Sequence, residues 1–145
     1  ASISSHLNDN FLELYKKTLI MKKFISKDLG KNAISTYKRA SNILEQEKSV
    51  FKSGPDAVLF KYEEEKELFE RINNIRKTFT LKEEKKNYEE HLKLLSDVKL
   101  STDKFFDNVK VNDENRDLKN NRLELLQILC STFNSFVDFS KLEGT

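Results

Sequence analysis

Residues 101–137 read STDKFFDNVKVNDENRDLKNNRLELLQILCSTFNSFV, and the second half of this stretch decides the fold. Leu118, Leu125, Leu129, Phe133, Phe136 and Val137 recur at separations of three, four and seven, which is one face of an α-helix. Leu123, Leu126, Ile128 and Cys130 widen that face well past a narrow stripe. A helix apolar on most sides must be covered on most sides, so the rest of the chain is expected to surround this one. Asn112 or Asp113 is placed to cap its start. Ahead of it, Ser101 is placed to cap a short helix over residues 103–108, which mixes adjacent aromatics with Lys and Asn.

Working back from there, apolar spacing predicts four further helices. The first covers residues 5–26, with Leu7, Phe11, Leu14, Tyr15, Leu19, Phe24 and Ile25 facing inward and Gly30 just past its end. The second, residues 31–47, buries Ala33, Ile34, Tyr37, Ala40, Ile43 and Leu44 and shows Lys31, Lys38, Arg39 and Asn42 outside. Ser53-Gly54-Pro55-Asp56 is the clear breaker cluster, and Val58, Leu59 and Phe60 behind it read as an anchor into a shared core. The third helix, residues 63–79, repeats Leu68, Ile72, Ile75 and Phe79. Thr80-Leu81-Lys82-Glu83 has the form of a capping box, opening a fourth helix to residue 98 that buries Tyr88, Leu92, Leu95 and Val98. Three glycines and one proline are too few turn-makers for an all-β chain. The expectation is one all-α domain over residues 1–145, a bundle of about six helices with the long last helix central.

Composition narrows the function. The net charge of +2 does not by itself announce a nucleic-acid binder, but residues 1–52 hold ten Lys and Arg against five Asp and Glu. A basic first third on a near-neutral protein implies either an electropositive patch or a solvated helix surface. A single cysteine excludes an internal disulfide and fits a reducing compartment. Cys130 lies on the apolar face of the last helix, as a small buried hydrophobe would. No signal-peptide pattern and no run of roughly 18 apolar residues occurs, so a cytoplasmic location is expected. The chain opens on Ala1 rather than Met, as a piece of a longer protein would.

Catalytic patterns are missing. Gly30, Gly54 and Gly144 are isolated, so there is no phosphate-binding loop. His6 and His91 have no Cys, His or Asp cluster beside them, which leaves no zinc site. Carboxylates stand on lysine-rich helical faces where general-acid work is not expected.

Three blocks resemble a known family. Tyr37-Lys38-Arg39-Ala40-Ser41-Asn42-Ile43-Leu44 is similar to the second-helix signature Lys-Arg-x-x-Asn-Ile-Leu of the anticodon-binding domain that closes the β subunit of bacterial glycyl-tRNA synthetases. Asp103-Lys104-Phe105-Phe106-Asp107-Asn108-Val109-Lys110-Val111 resembles its V-D-x-F-F-D-x-V-x-V block, and residues 118–126, LKNNRLELL, resemble L-R-x-N-R-L-x-L-L. The wider family is the DALR anticodon-binding domain, shared with arginyl-tRNA synthetases. Lys119 departs from the family Arg, Asn115 and Arg116 stand where acidic residues are common, and Leu100-Ser101-Thr102 replaces a Pro-containing stretch.

The resemblance implies a non-catalytic C-terminal piece of a larger β subunit that binds the anticodon arm of glycine tRNA. It also implies that ATP and glycine activation belong to the whole enzyme, through the α subunit of an α2β2 assembly, with no cofactor in this piece. Lys38, Lys104 and Lys110 are then phosphate candidates. Arg39 and Asn42, three apart on a helix, can hold phosphate and base edge together, or satisfy buried carbonyls. Phe105 and Phe106 can stack on splayed bases or pack the core. Arg122 in the third block is a further tRNA-facing candidate, although so apolar a helix leaves Asn121 and Arg122 little exposed surface. The competing expectations are a helical protein-interaction module and an arginyl-type anticodon domain.

Overall fold

The computed structural model describes residues 28–47, 54–81 and 88–136, together with Leu19 and Lys22. Four α-helices carry these residues: α1 (Asp28–Glu47), α2 (Glu63–Leu81), α3 (Tyr88–Asn108) and α4 (Arg116–Phe136), with a single 3-10 turn at Ala57–Leu59. No strand occurs among the described residues, so the all-α expectation holds, and these residues form four helices where about six were expected of the whole chain. The helix expected over residues 5–26 lies outside the described residues. Of its inward set only Leu19 is described, and it is exposed.

α1 and α2 each pack against both α3 and α4, and α4 also meets the 3-10 turn. The core between them is built from Ala33, Tyr37 and Ala40 of α1, Leu68, Ile72 and Ile75 of α2, and Leu95, Val98 and Phe105 of α3. α4 adds Leu125, Leu126, Leu129, Cys130, Phe133 and Phe136. Ten residues of α4 are buried, more than in any other described helix, as its wide apolar face required. Phe133 stacks against Tyr37 with ring centres 6.2 Å apart, which joins the last helix to α1.

Local chemistry explains the helix ends. Asn115, rather than Asn112 or Asp113, caps α4: its side-chain oxygen accepts from the N–H groups of Asp117 (3.0 Å) and Leu118 (3.3 Å). Asp113 braces that cap by accepting from Asn115 N–H at 2.8 Å. Asp117 in the first turn complements the helix dipole. At α2, one Glu65 oxygen reaches back to the N–H groups of Lys61 (2.8 Å) and Tyr62 (2.9 Å), satisfying two donors ahead of the helix.

Several expected boundaries move. Gly30 is helical, within the first turns of α1, rather than beyond a helix end. Thr80 and Leu81 extend α2, so the expected capping box at Thr80 does not open a new helix, and residues 82–87 lie outside the described set. From Tyr88 onward, the helices expected to end at residue 98 and to cover residues 103–108 are one helix, α3. With Leu100-Ser101-Thr102 in place of a proline, nothing interrupts the backbone ladder there. Ser101 is therefore a buried helical residue and not a cap, and the Thr102 hydroxyl is satisfied by donating to Val98 C=O at 2.9 Å.

The anchor behind the breaker cluster also differs from expectation. Val58 is 88% exposed, and no residue of the 3-10 turn is buried. Asn121 of α4 holds this segment instead: its amide oxygen accepts from Asp56 N–H (2.6 Å) and its amide nitrogen donates to Asp56 C=O (3.1 Å). Gly54, at φ +78°, makes the left-handed turn that brings Asp56 to that amide.

Candidate nucleic-acid interface

The seam between α1 and α3 brings together two of the family-like blocks. Arg39 projects from the exposed side of α1 and lays its guanidinium over the Phe106 ring, 4.2 Å from the ring centre. A cation over an aromatic face is held electrostatically while its donors stay free for a ligand. Arg39 Nη1 lies 3.8 Å from Asp103 Oδ1, an ion-pair contact too long to be a hydrogen bond. The other Asp103 oxygen accepts from Lys99 one helical turn earlier. Both partners remain open to solvent, with 51% of the Arg39 side chain and 38% of the Asp103 side chain exposed.

The two adjacent phenylalanines do different jobs. Phe105 is fully buried in the core, so it is not available to stack on a base, which corrects its place among the candidates. Phe106 is half-buried and meets Phe105 edge to face at 5.5 Å. The inner ring thus fixes the outer one, and the outer one fixes Arg39.

Arg122 is also corrected. It is 1% exposed, with Nε donating to Glu65 (3.0 Å) and Nη1 donating to the Lys110 carbonyl (2.7 Å) and to Asp113 (3.3 Å). Its charge is spent inside the protein, locking the segment between α3 and α4 onto the start of α2. The Asn115 N–H bond to Asp113, helped by the nearby Arg122 guanidinium, holds the Asp113 carboxyl below its ordinary pKa.

The remaining cations do not form one groove. Lys104 is exposed, but at about 100° per residue it points about 160° away from Phe106 around α3. Lys110 is exposed beyond the end of α3. On α1, Asn42 shares the exposed strip with Arg39, while Lys38 is turned about 100° from Arg39 and is half-buried. Lys119, the departure from the family Arg, pairs with Glu47 of α1 at 2.9 Å.

Among the described residues, hollows open on the surface beside these elements. One of ≈ 550 Å³ is lined by Glu47, Asp113, Glu114, Arg116, Lys119 and Asn120, a mixed-charge cleft at the start of α4. Another, ≈ 470 Å³, runs over the outward side of α3 and includes Arg71, Asp97, Lys99, Leu100 and Asp103. It adjoins the Arg39–Phe106 contact through Asp103.

Sequence reading missed Asp103 and Lys99 as members of this site and left Phe106 undecided. The signal was present: Lys99, Asp103 and Phe106 are four and three apart, one face of a single helix. The break expected between residues 98 and 103 concealed it.

The helical arrangement has a counterpart among known families. The DALR anticodon binding domain matches residues 33–140, and the chain belongs to that family. Among curated proteins, it is 38% identical over 142 residues to the glycine–tRNA ligase beta subunits of Rickettsia africae and Rickettsia conorii. Over 140 residues it is 37% identical to that of Rickettsia prowazekii. These alignments take in 97–98% of the chain but 21% of each relative, so the chain spans about a fifth of the length of the curated relatives it matches. No helix among the described residues is long and apolar enough to cross a membrane.

Proposed function

We propose that this chain binds the anticodon arm of a glycine tRNA, as the non-catalytic anticodon-binding domain of a glycine–tRNA ligase beta subunit. The observation that carries this is the family match over residues 33–140 joined to 38% identity with such subunits along 98% of the chain. The surface supports it: an exposed guanidinium on an aromatic ring, beside a polar hollow, suits an unpaired RNA loop better than a duplex. In this scheme Lys38, Lys104 and Lys110 meet phosphates and carry affinity, while Arg39 and Asn42 meet bases. The domain uses no cofactor. ATP and glycine activation belong to a cytoplasmic α2β2 enzyme, joined through the rest of the beta subunit.

The test is a mobility shift with purified glycine tRNA across a salt series. Binding is expected to weaken with salt, by a log–log slope of roughly −0.7 to −0.9 per phosphate contacted. Replacing Lys38 and Lys110 together is expected to weaken all tRNAs alike and to flatten that slope. If the chain fails to bind glycine tRNA even at low salt, it is a helical protein-interaction module instead.

A further inference from the structure

We propose that Asp103 and Arg39 together form a cytosine-reading edge. This rests on the anticodon-binding function proposed above and assigns the residues that would give it base selectivity.

The chemistry follows from what each side chain offers. Asp103 Oδ1 is an acceptor whose near neighbour, Arg39, stands 3.8 Å away without a hydrogen bond between them. Arg39 presents several N–H donors in one plane, and its guanidinium carbon rests over the Phe106 ring, 4.2 Å from the ring centre. An acceptor beside in-plane donors is the pattern of a guanine Watson–Crick edge. Its complement is a base with an amino donor next to ring and carbonyl acceptors. Cytosine has that arrangement: N4–H donates to Asp103, while N3 and O2 accept from Arg39. Uracil places a carbonyl where cytosine has its amino group, so it would set an acceptor against the Asp103 carboxylate. Glycine codons begin with two guanines, so their anticodons contain two cytosines for such an edge to read.

The surroundings fit the same ligand. Lys99 binds the second Asp103 oxygen and so fixes the carboxylate from behind, leaving Oδ1 toward Arg39. Leu100 is 64% exposed on the hollow next to Asp103 and offers apolar surface to the face of a base. With Lys99 and Arg39 flanking one carboxylate, the cluster keeps a net positive charge, as a phosphate-bearing ligand requires.

The experiment uses the chain with an anticodon stem-loop RNA carrying both cytosines, and with versions in which either cytosine is replaced by uracil. The parent is expected to prefer cytosine by about tenfold or more at one position. Asp103→Asn presents an amide that can accept or donate, so the preference at that position is expected to fall to about twofold, with thermal melting unchanged because Asp103 is on the surface. Lys66→Ala, on the exposed side of α2 and outside the hollow, is expected to leave the preference intact. Retention of the full cytosine preference by Asp103→Asn, or equal binding of cytosine and uracil loops by the parent, overturns the cytosine-reading edge while the anticodon-binding function stands. Failure of the parent to bind any of the loops overturns both.

Discussion

Removing the guanidinium of Arg122 tests the most consequential buried contact in the fold. Arg122 and Glu65 are 1% and 0% exposed at their side chains, so neither charge has water to turn to. Arg122→Met keeps most of the side-chain length and apolar stem but deletes every donor. Glu65 then keeps its two backbone N–H donors from Lys61 and Tyr62 and loses the Arg122 guanidinium that pairs with it. The Lys110 carbonyl loses a 2.7 Å bond, and Asp113 loses a 3.3 Å contact. Breaking a buried pair from one side costs about 3–5 kcal/mol, mainly because the surviving charge stays buried. For a domain of this size that is a fall in melting temperature of roughly 10–15 °C.

The assay is urea and thermal unfolding followed by helical circular dichroism, on Arg122→Met, Glu65→Gln and the double variant. Glu65→Gln is expected to cost less than Arg122→Met, because the amide oxygen can still accept at the start of α2 while Arg122 keeps Lys110 and Asp113. The double variant is expected to be more stable than the sum of the single losses implies, since no unpaired buried charge remains. A loss below about 1 kcal/mol for Arg122→Met would refute the reasoning, because a surface-like value means the pair is solvated.

Two further outcomes follow from the core and the α4 cap. Phe133 is fully buried against Tyr37, so Phe133→Ala is expected to cost roughly 3–5 kcal/mol in denaturant unfolding, and an unchanged melting curve would contradict its place in the core. Asp113 is held below its ordinary pKa, so its stabilising contribution is fully present above about pH 4 and is lost as pH falls through the depressed folded value. Melting temperature measured from pH 7 down to pH 2 is therefore expected to fall less steeply at the acid end in Asp113→Asn than in the parent.

The sequence made the helices legible wherever burial follows a strong period. Leu68, Ile72 and Ile75, like Leu125, Leu129 and Phe133, are buried as their spacing demanded. Boundaries were less legible, because a capping residue is only a cap if the chain actually turns there. Ser101, Thr80, Asn112 and Asp113 are all chemically able to cap, yet Ser101 and Thr80 lie inside helices and the cap of α4 fell to Asn115. Charge was the poorest guide to the site. Arg122, Lys119 and Arg39 look alike in sequence, but one is buried on Glu65, one is paired with Glu47 and one lies exposed on Phe106. What separates them is the partner, and each partner lies in a different helix from the cation it holds.

The family-like blocks therefore carry two kinds of information at once. Tyr37, Ala40, Phe105, Val109, Asn121, Arg122, Leu123, Leu125 and Leu126 are buried, so much of what resembles the family is the fold itself. Arg39, Asp103 and Phe106 are members that reach the surface at the α1–α3 seam, and Phe106 is backed there by the buried Phe105 of its own block. Phe105 supports Phe106 as Ala40 supports the helix under Arg39. A variant of Arg122 should thus lower stability and reduce RNA binding only in proportion to the unfolded fraction. A variant at Asp103 should change base preference with the melting curve unmoved. Two arginine-centred clusters of similar composition are told apart by which of these two measurements responds, and a site residue that moved only the melting curve would belong to the scaffold.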